Sequence, residues 1–192
     1  MNSEIFFQKV NEYTNLTSEA KQEWLGLLKK KKYLKGDYFI SFGQIPKKVA
    51  FVENGLFSQC FITEAGNTTI KYFFAEGRIL GSIPATLTKT ESLFSIVALE
   101  NATVLEYDFH EFKKLVLKYP DVAEFYINYM ERHWIIEKEP FEVAMKNETA
   151  AIQYSNFLKK YPDLVNRLKK HHIASYLGIT PTQLSRIFAY HK

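Results

Sequence analysis

Six glycines cut residues 33–108 into short apolar runs, and this punctuation constrains the fold more than any other feature of the chain. Gly36, Gly43, Gly55, Gly66, Gly77 and Gly81 alternate with Tyr38–Ile40, Val49–Val52, Leu56–Ile62 and Thr68–Phe74. Ser95–Leu99 and Ala102–Tyr107 follow in the same texture. Turn-bounded strands spaced by about 8–12 residues signal an antiparallel sandwich or barrel. Glu53-Asn54-Gly55 and Glu64-Ala65-Gly66-Asn67 read as hairpin turns. A chain of 192 residues with 46% hydrophobic and 16% aromatic side chains has material for a real core, in one large domain or two modest ones. No apolar run reaches the roughly 18 residues needed to cross a bilayer. The N-terminal Met1-Asn2-Ser3-Glu4-Ile5-Phe6-Phe7 lacks the segments of a secretory signal, so the expected compartment is the cytoplasm. A lone cysteine, Cys60, rules out an internal disulfide framework and a cluster held by four cysteines of one chain.

On both sides of the glycine-rich region the period becomes helical. Ser18 to about Leu28 reads as a helix with Trp24, Leu25 and Leu28 on one side, and Lys29-Lys30-Lys31-Lys32 as its solvated end. Beyond Asp108, Glu111–Lys118 reads as a short helix closed by Tyr119-Pro120. Asp121 is the expected cap of a longer one, whose apolar face runs through Val122, Phe125, Tyr126, Tyr129, Met130, His133, Trp134 and Ile136. So broad a face needs a cover: the β domain, a second copy of the helix, or both. Pro140 is expected to end or kink it. A further helix spans about Glu148 to Tyr161.

The segment His171–Ile187 reads as two short helices around a tight turn. Ile173, Ala174 and Leu177 share a face, and Gly178 supplies the left-handed residue that ends a helix without a clash. Thr180-Pro181-Thr182-Gln183 has the capping-box spacing, with proline at the first helical position. Leu184 and Ile187 then face inward, leaving Thr182, Gln183, Ser185 and Arg186 outside. A helix-turn-helix with a short polar face and an arginine points to DNA. The charge agrees. Residues 146–192 hold 8 basic and 2 acidic side chains, a balance of +6, while the rest of the chain, with 17 and 19, stands at −2.

Taken together, the glycine-punctuated β domain, the long helix and the C-terminal helix-turn-helix resemble the Crp/Fnr regulators, over nearly the whole chain. Lys35-Gly36-Asp37, Val52-Glu53-Asn54-Gly55 and Ile173–Pro181 carry the likeness, and the last of these is similar to the Bacteroidetes branch. The resemblance implies an α+β chain: an antiparallel β-roll (a jelly-roll-like double-stranded β-helix) with flanking helices, a long dimerisation helix and a winged-helix-type helix-turn-helix. Its implied domains are a cyclic-nucleotide-binding-like sensor at 1–120, a dimerisation helix and hinge at 121–146, and a DNA-binding domain at 147–192. It further implies a homodimer on a palindromic double-stranded site, with RNA polymerase as a candidate partner, no membrane and no catalytic residues. Any wing is expected before the motif, from Arg167 to Ile173.

Family members that bind cyclic AMP carry a Gly-Glu pair and, about ten residues on, an Arg-Ser pair. Here the matching positions read Gly81-Ser82-Ile83-Pro84 and Ser92-Leu93, with neither the acid nor the base, and Glu91 has the wrong sign for a phosphate. Burying a phosphate without a paired cation costs several kcal/mol, so tight cyclic AMP binding is not expected. No histidine precedes His110, so the roll offers no axial imidazole for haem. No cofactor or metal is expected. A hydrophobic or aromatic effector would find candidate walls in Tyr72, Leu80, Gly81, Ser82, Ile83 and Ser92, together with Leu93, Phe94, Tyr126, Met130 and His133. The alternative is that these side chains pack against one another.

In the DNA-binding unit, Arg186 keeps the position of a family arginine and is the expected guanine reader. Pro181 and Thr182 replace the family's usual first readers. Gln183 is a candidate adenine reader if the cap does not occupy it. Thr180, Thr182 and Ser185 suit phosphate or base edges, and Lys169, Lys170 and His172 suit the backbone. Two other classes compete. A degenerate sensor acting through protein contacts explains the missing cassette but not the basic motif. A cupin-like enzyme needs metal-binding histidines on the strands, and residues 33–108 contain none.

Overall fold

The computed structural model describes residues 4–62 and 68–190. Its strands are β1 (Lys29–Tyr33), β2 (Tyr38–Ile40), β3 (Lys48–Asn54), β4 (Phe57–Ile62), β5 (Thr68–Phe74), β6 (Ile79–Leu80), β7 (Ser95–Ala98) and β8 (Ala102–Asp108). They form two four-stranded antiparallel sheets, ordered β1-β8-β3-β6 and β2-β7-β4-β5. This is the expected antiparallel roll. Glu64–Asn67, read as a hairpin turn, lies outside the described residues; Gly55 makes the other turn at φ 108°.

Side-chain alternation along the strands builds the layers. In β3, Ala50 and Val52 point into the roll, while Val49 and Phe51 point out to the helices. The outer face of this first sheet is covered by α1 (Glu4–Val10), α2 (Ser18–Leu27), α4 (Phe109–Lys118) and α5 (Pro120–Met130). Trp24, fully buried, meets Phe6, Phe112 and Phe125 there. The second sheet is buried on both sides as well. Phe57, Phe74 and Ile96 face the roll interior, and Leu56, Cys60, Ile70 and Phe73 face the opposite way. Their cover is the C-terminal unit: α7 (Ala150–Lys160), the turns at 162–167, α8 (Lys170–Tyr176) and α9 (Pro181–Tyr190).

Several expectations are corrected. Lys29–Lys32 is not a helix end but the edge strand β1, paired with β8 from Lys29↔Glu106 to Tyr33↔Ala102. Lysines along an edge keep the open hydrogen-bonding groups from recruiting another strand. Leu25 is exposed while Trp24 and Leu28 are buried. Helix α4 starts at Phe109, because the Asp108 carboxylate accepts from the His110 and Glu111 amides. Asp121 does not cap α5; Tyr119 does, with Pro120 in the first turn. Its carboxylate instead accepts from the Thr17 amide at 2.6 Å and so ties α5 to the start of α2. Helix α1, the short β6 and α3 (Ile83–Thr88) were not anticipated.

The long helix is also not continuous. Past Met130 it widens to a π-helical turn, Glu131–Ile136, and α6 (Glu139–Asn147) restarts with Pro140 in its first turn. Pro140 has no amide hydrogen to donate, so the break falls where none is needed. The inner face of α5 covers the β-roll through Val122, Phe125 and Tyr129, while Ile127, Ile135, Ile136 and Val143 are exposed. Ile136, expected on the covered face, is 67% exposed because the π-turn rotates it away. The wing expected at Arg167–Ile173 is absent: those residues are turn and the first part of α8, with no strand.

Candidate nucleic-acid interface and sensor cavity

Local chemistry builds the helix pair. The Gly178 amide donates to Ser175 O at 3.3 Å and the Ile179 amide to Ala174 O at 3.0 Å, the paired bonds of a Schellman end, with Gly178 at φ 67°. The next helix opens on the capping box. The Gln183 amide donates to Thr180 Oγ1 at 3.2 Å, and Gln183 Oε1 accepts from the Thr180 amide at 2.8 Å and its hydroxyl at 3.0 Å. Leu184 is fully buried, and Thr180, Thr182, Gln183, Ser185 and Arg186 are exposed. Gln183 has its carbonyl committed to the cap, so it cannot offer the paired acceptor and donor that read adenine. Lys169 and Lys170 are exposed beside this face. His172 is half-buried and its Nδ1 has no hydrogen-bond partner. Burial, then the charges of His171, Lys169 and Lys35, push its pKa down to about 4.

The helix pair is joined to the roll by more than apolar contact. Ser175 Oγ accepts from the Ile70 amide at 3.0 Å and donates to Thr68 O at 2.8 Å, so one side chain satisfies a stretch of the edge strand β5. Arg167 forks onto Glu76 at 2.9 and 3.0 Å and also pairs with Glu100. Sequence reasoning assigned neither residue this role. Both partners of Arg167 lie about 70–90 residues away in the chain, beyond the reach of local pattern.

On the sensor side, the position of the missing phosphate cassette is closed by the chain itself. Ser82 and Ser92 are buried, and Ser92 Oγ donates to Ser82 Oγ at 2.9 Å. The eleven residues proposed as effector walls do not converge. Leu80 lies in the roll core, Ile83 in the outer core, and Tyr126 and Met130 pack beside Ile83's cluster. Gly81 abuts Val49, Phe94 rests against Phe61, and Leu93 is 69% exposed. Tyr72 and His133 line a common cavity of about 110 Å³.

That cavity is organised around Arg78, which the sequence reading passed over. It is the first arginine in the chain and directly follows the turn glycine Gly77, a signal that was available. Arg78 donates to Tyr72 and pairs with Glu137, joining β5 and β6 to the segment after the π-turn. The His133 Nδ1 lies 2.8 Å from a Glu137 carboxylate oxygen and beside the Arg78 guanidinium, and its Nε2 lies 2.6 Å from the Tyr13 hydroxyl. Burial pushes the Glu137 carboxyl up, but the hydrogen bonds from His133 and Arg78 outweigh it and hold the pKa at about 2. For His133 burial is the larger influence and lowers the pKa, against the bond to Glu137. A second, more open cleft of about 810 Å³ adjoins it, between β5, α6, α7 and the turns at 162–167.

Comparison with known proteins places the β domain. The cyclic nucleotide-binding domain family matches residues 30–119. No curated protein matches the chain significantly. Among solved structures, CLP of Xanthomonas campestris, a c-di-GMP-responsive global regulator, aligns with a TM-score of 0.72 at 10% identity, covering 91% of each chain. FixK2 of Bradyrhizobium japonicum aligns at 0.70 and 18% identity, over 85% of this chain and 84% of its own. The catabolite activator protein of Thermus thermophilus aligns at 0.54 and 18% identity, over 95% and 85%. No helix among the described residues is long and apolar enough to cross a membrane.

Proposed function

From a chain whose residues 30–119 match the cyclic nucleotide-binding domain family and whose fold is similar to that of Crp/Fnr regulators, we propose a homodimeric DNA-binding transcription regulator. The observation that carries this reading is the exposed face of α9. Its capping box fixes the helix start, Leu184 anchors it, and Thr182, Ser185 and Arg186 are presented together on the outside. Arg186 reads guanine, Thr180, Thr182 and Ser185 serve phosphate or base edges, and Lys169, Lys170 and His172 lie toward the backbone. Gln183 acts as a cap and not as a reader. The exposed Ile127, Ile135, Ile136 and Val143 support a second copy packing along the α5–α6 side, which would present two recognition helices to a palindromic site. RNA polymerase is the partner such a regulator would engage.

Cyclic AMP is not its effector in this reading: the cassette position holds a Ser82–Ser92 hydrogen bond where an acid and an arginine would be needed. Regulation would act at the π-turn and Pro140, the break that separates the sensor side of the helix from the hinge at 140–147. The test is selection of genomic fragments by the purified protein, followed by footprinting. A palindrome with half-sites about one helical turn apart is expected. Arg186→Ala should relax one base position, by about 1–3 kcal/mol of discrimination, and Gln183→Ala should lower stability without relaxing any. Sequence-blind binding, or a monomer in sedimentation at micromolar concentration, would overturn the reading.

A further inference from the structure

Where the long helix widens to its π-turn, one buried histidine ties it to the β-roll and to the N-terminal helices. The His133 side chain belongs to the turn itself and is 8% exposed. Its ring packs on Tyr129 of α5, with centroids 4.4 Å apart, and edge-on to Tyr13 from the segment between α1 and α2. Nε2 lies against the Tyr13 hydroxyl. Nδ1 faces two groups of opposite kind, the Arg78 guanidinium just before β6 and the Glu137 carboxylate one turn on. Farther out, Arg132 and Glu12 act on Tyr13, and Lys160 of α7 acts on Glu137 and Arg78. Arg78 can only donate and an ionised carboxylate can only accept. A neutral ring nitrogen holds either a proton or a lone pair, so Nδ1 satisfies one of these neighbours and leaves the other unmatched. Around Nδ1 the Arg78–Glu137 ion pair balances the charge while the ring is neutral. A proton on the ring sets two cations against one carboxylate, in a place with little water to screen them.

We propose that this cluster is a proton-sensitive latch: a proton taken up from solvent by His133 competes with Arg78 for Glu137 and releases the hinge segment from the roll. The tie runs from Tyr72 and Arg78 on the roll to Glu137 beyond the π-turn, so its release frees the start of α6. The surroundings fix the sign. Burial lowers the pKa of His133 from an ordinary 6.5; the bond to Glu137 opposes the shift, and the charge of Arg78 adds to it. The opened arrangement therefore binds the proton more readily than the closed one, and it gains population as pH falls below 6.5. Glu137, held at about 2, stays ionised, which leaves the histidine as the titrating member. The latch rests on the hinge geometry and does not depend on DNA reading.

Hydrogen exchange of the full chain, read as protection factors for residues 131–137 between about pH 7.5 and pH 5.5, tests it. One histidine raises the opening equilibrium by at most about tenfold over that range, and a rise of at least about threefold is expected. Amides of β3 and β8 should keep their protection. His133→Gln, neutral at every pH, should flatten the profile, while His110→Asn, at the start of α4, should leave it as in the wild type. In the unmodified chain the His133 ring proton, followed by NMR, should titrate with a midpoint below 6.5. A flat wild-type profile, a slope retained in His133→Gln, a parallel loss in β3 and β8, or a midpoint at or above 6.5 would each overturn the latch. The assay contains no DNA, so its failure leaves the recognition-helix reading standing.

Discussion

Single residues in this chain are held by geometry that a one-atom change can test. At Gly55 an added Cβ would sit 2.4 Å from Ala102 Cβ and 2.7 Å from its Cα, at φ +108°. Neither backbone can yield, so Gly55→Ala should destabilise by about 2–4 kcal/mol, seen as a lower Tm. Gly26 is exposed within α2 with nothing within 4 Å of its Cβ position. Gly26→Ala should therefore stabilise by about 0.5–1 kcal/mol, and a loss of stability would refute the helical placement. His172 gives a pH prediction. Its pKa falls from an ordinary 6.5 to about 4 in the folded chain, so between those values the unfolded state binds more protons. Its contribution is complete above pH 6.5 and disappears as pH falls to about 4. Urea midpoints should drop between pH 7 and pH 5, and His172→Asn should shrink that drop, leaving the share of the likewise depressed His133. The capping box and the left-handed Gly178 were legible in the sequence, because each depends on residues within four positions of one another. Arg167 and Ser175 were not, since their partners are set by tertiary contact, and of Arg78 only its place after the turn glycine Gly77 was.

At the level of elements, most strands were readable from turn glycines and apolar runs, and the failures have specific causes. Strand β1 is four lysines and a tyrosine, and its existence depends on β8's backbone, not on its own side chains. The π-turn adds one residue to a helix whose apolar spacing continues through it, so Ile136 looked like part of the covered face. One signal was present but unused. Leu56-Phe57 and Phe73-Phe74 are adjacent apolar pairs, and adjacent strand residues point to opposite faces. Both faces of that sheet therefore had to be covered, and the helix pair is the second cover. The join at β5 should be measurable. Ser175→Ala leaves the Ile70 amide and Thr68 carbonyl of an edge strand without their partner, at a cost of about 1–2 kcal/mol. Hydrogen exchange at Ile70 should accelerate in the variant while amides of β3 and β8 keep their protection. Unchanged exchange at Ile70 would mean that the helix pair does not rest on β5 in solution.

Across the whole molecule, the core continues from the roll into the C-terminal helices. Tyr154, Phe157, Leu164, Ile173, Tyr176 and Leu184 close one cluster with Leu56, Cys60, Ile70 and Phe73 of the sheet. A unit whose buried face is completed by another unit has no separate stability to lose, so the two should unfold together. Residues 147–192 produced alone should lack a cooperative far-UV transition, and the full chain should melt in one step. Phe73→Ala removes a ring that meets Phe157, Tyr161 and Tyr176, and it should lower that single Tm by the equivalent of about 3–5 kcal/mol. Two separated transitions in the wild-type chain would instead mean that the helix pair is hinged and only leans on the sheet. The distinction matters for regulation. The α9 face proposed to read DNA is already exposed while the pair is docked, so in that reading no undocking is required. With the pair held by Arg167, Ser175 and Phe73, the spacing of the two helix pairs in the proposed dimer would follow the β-roll frame.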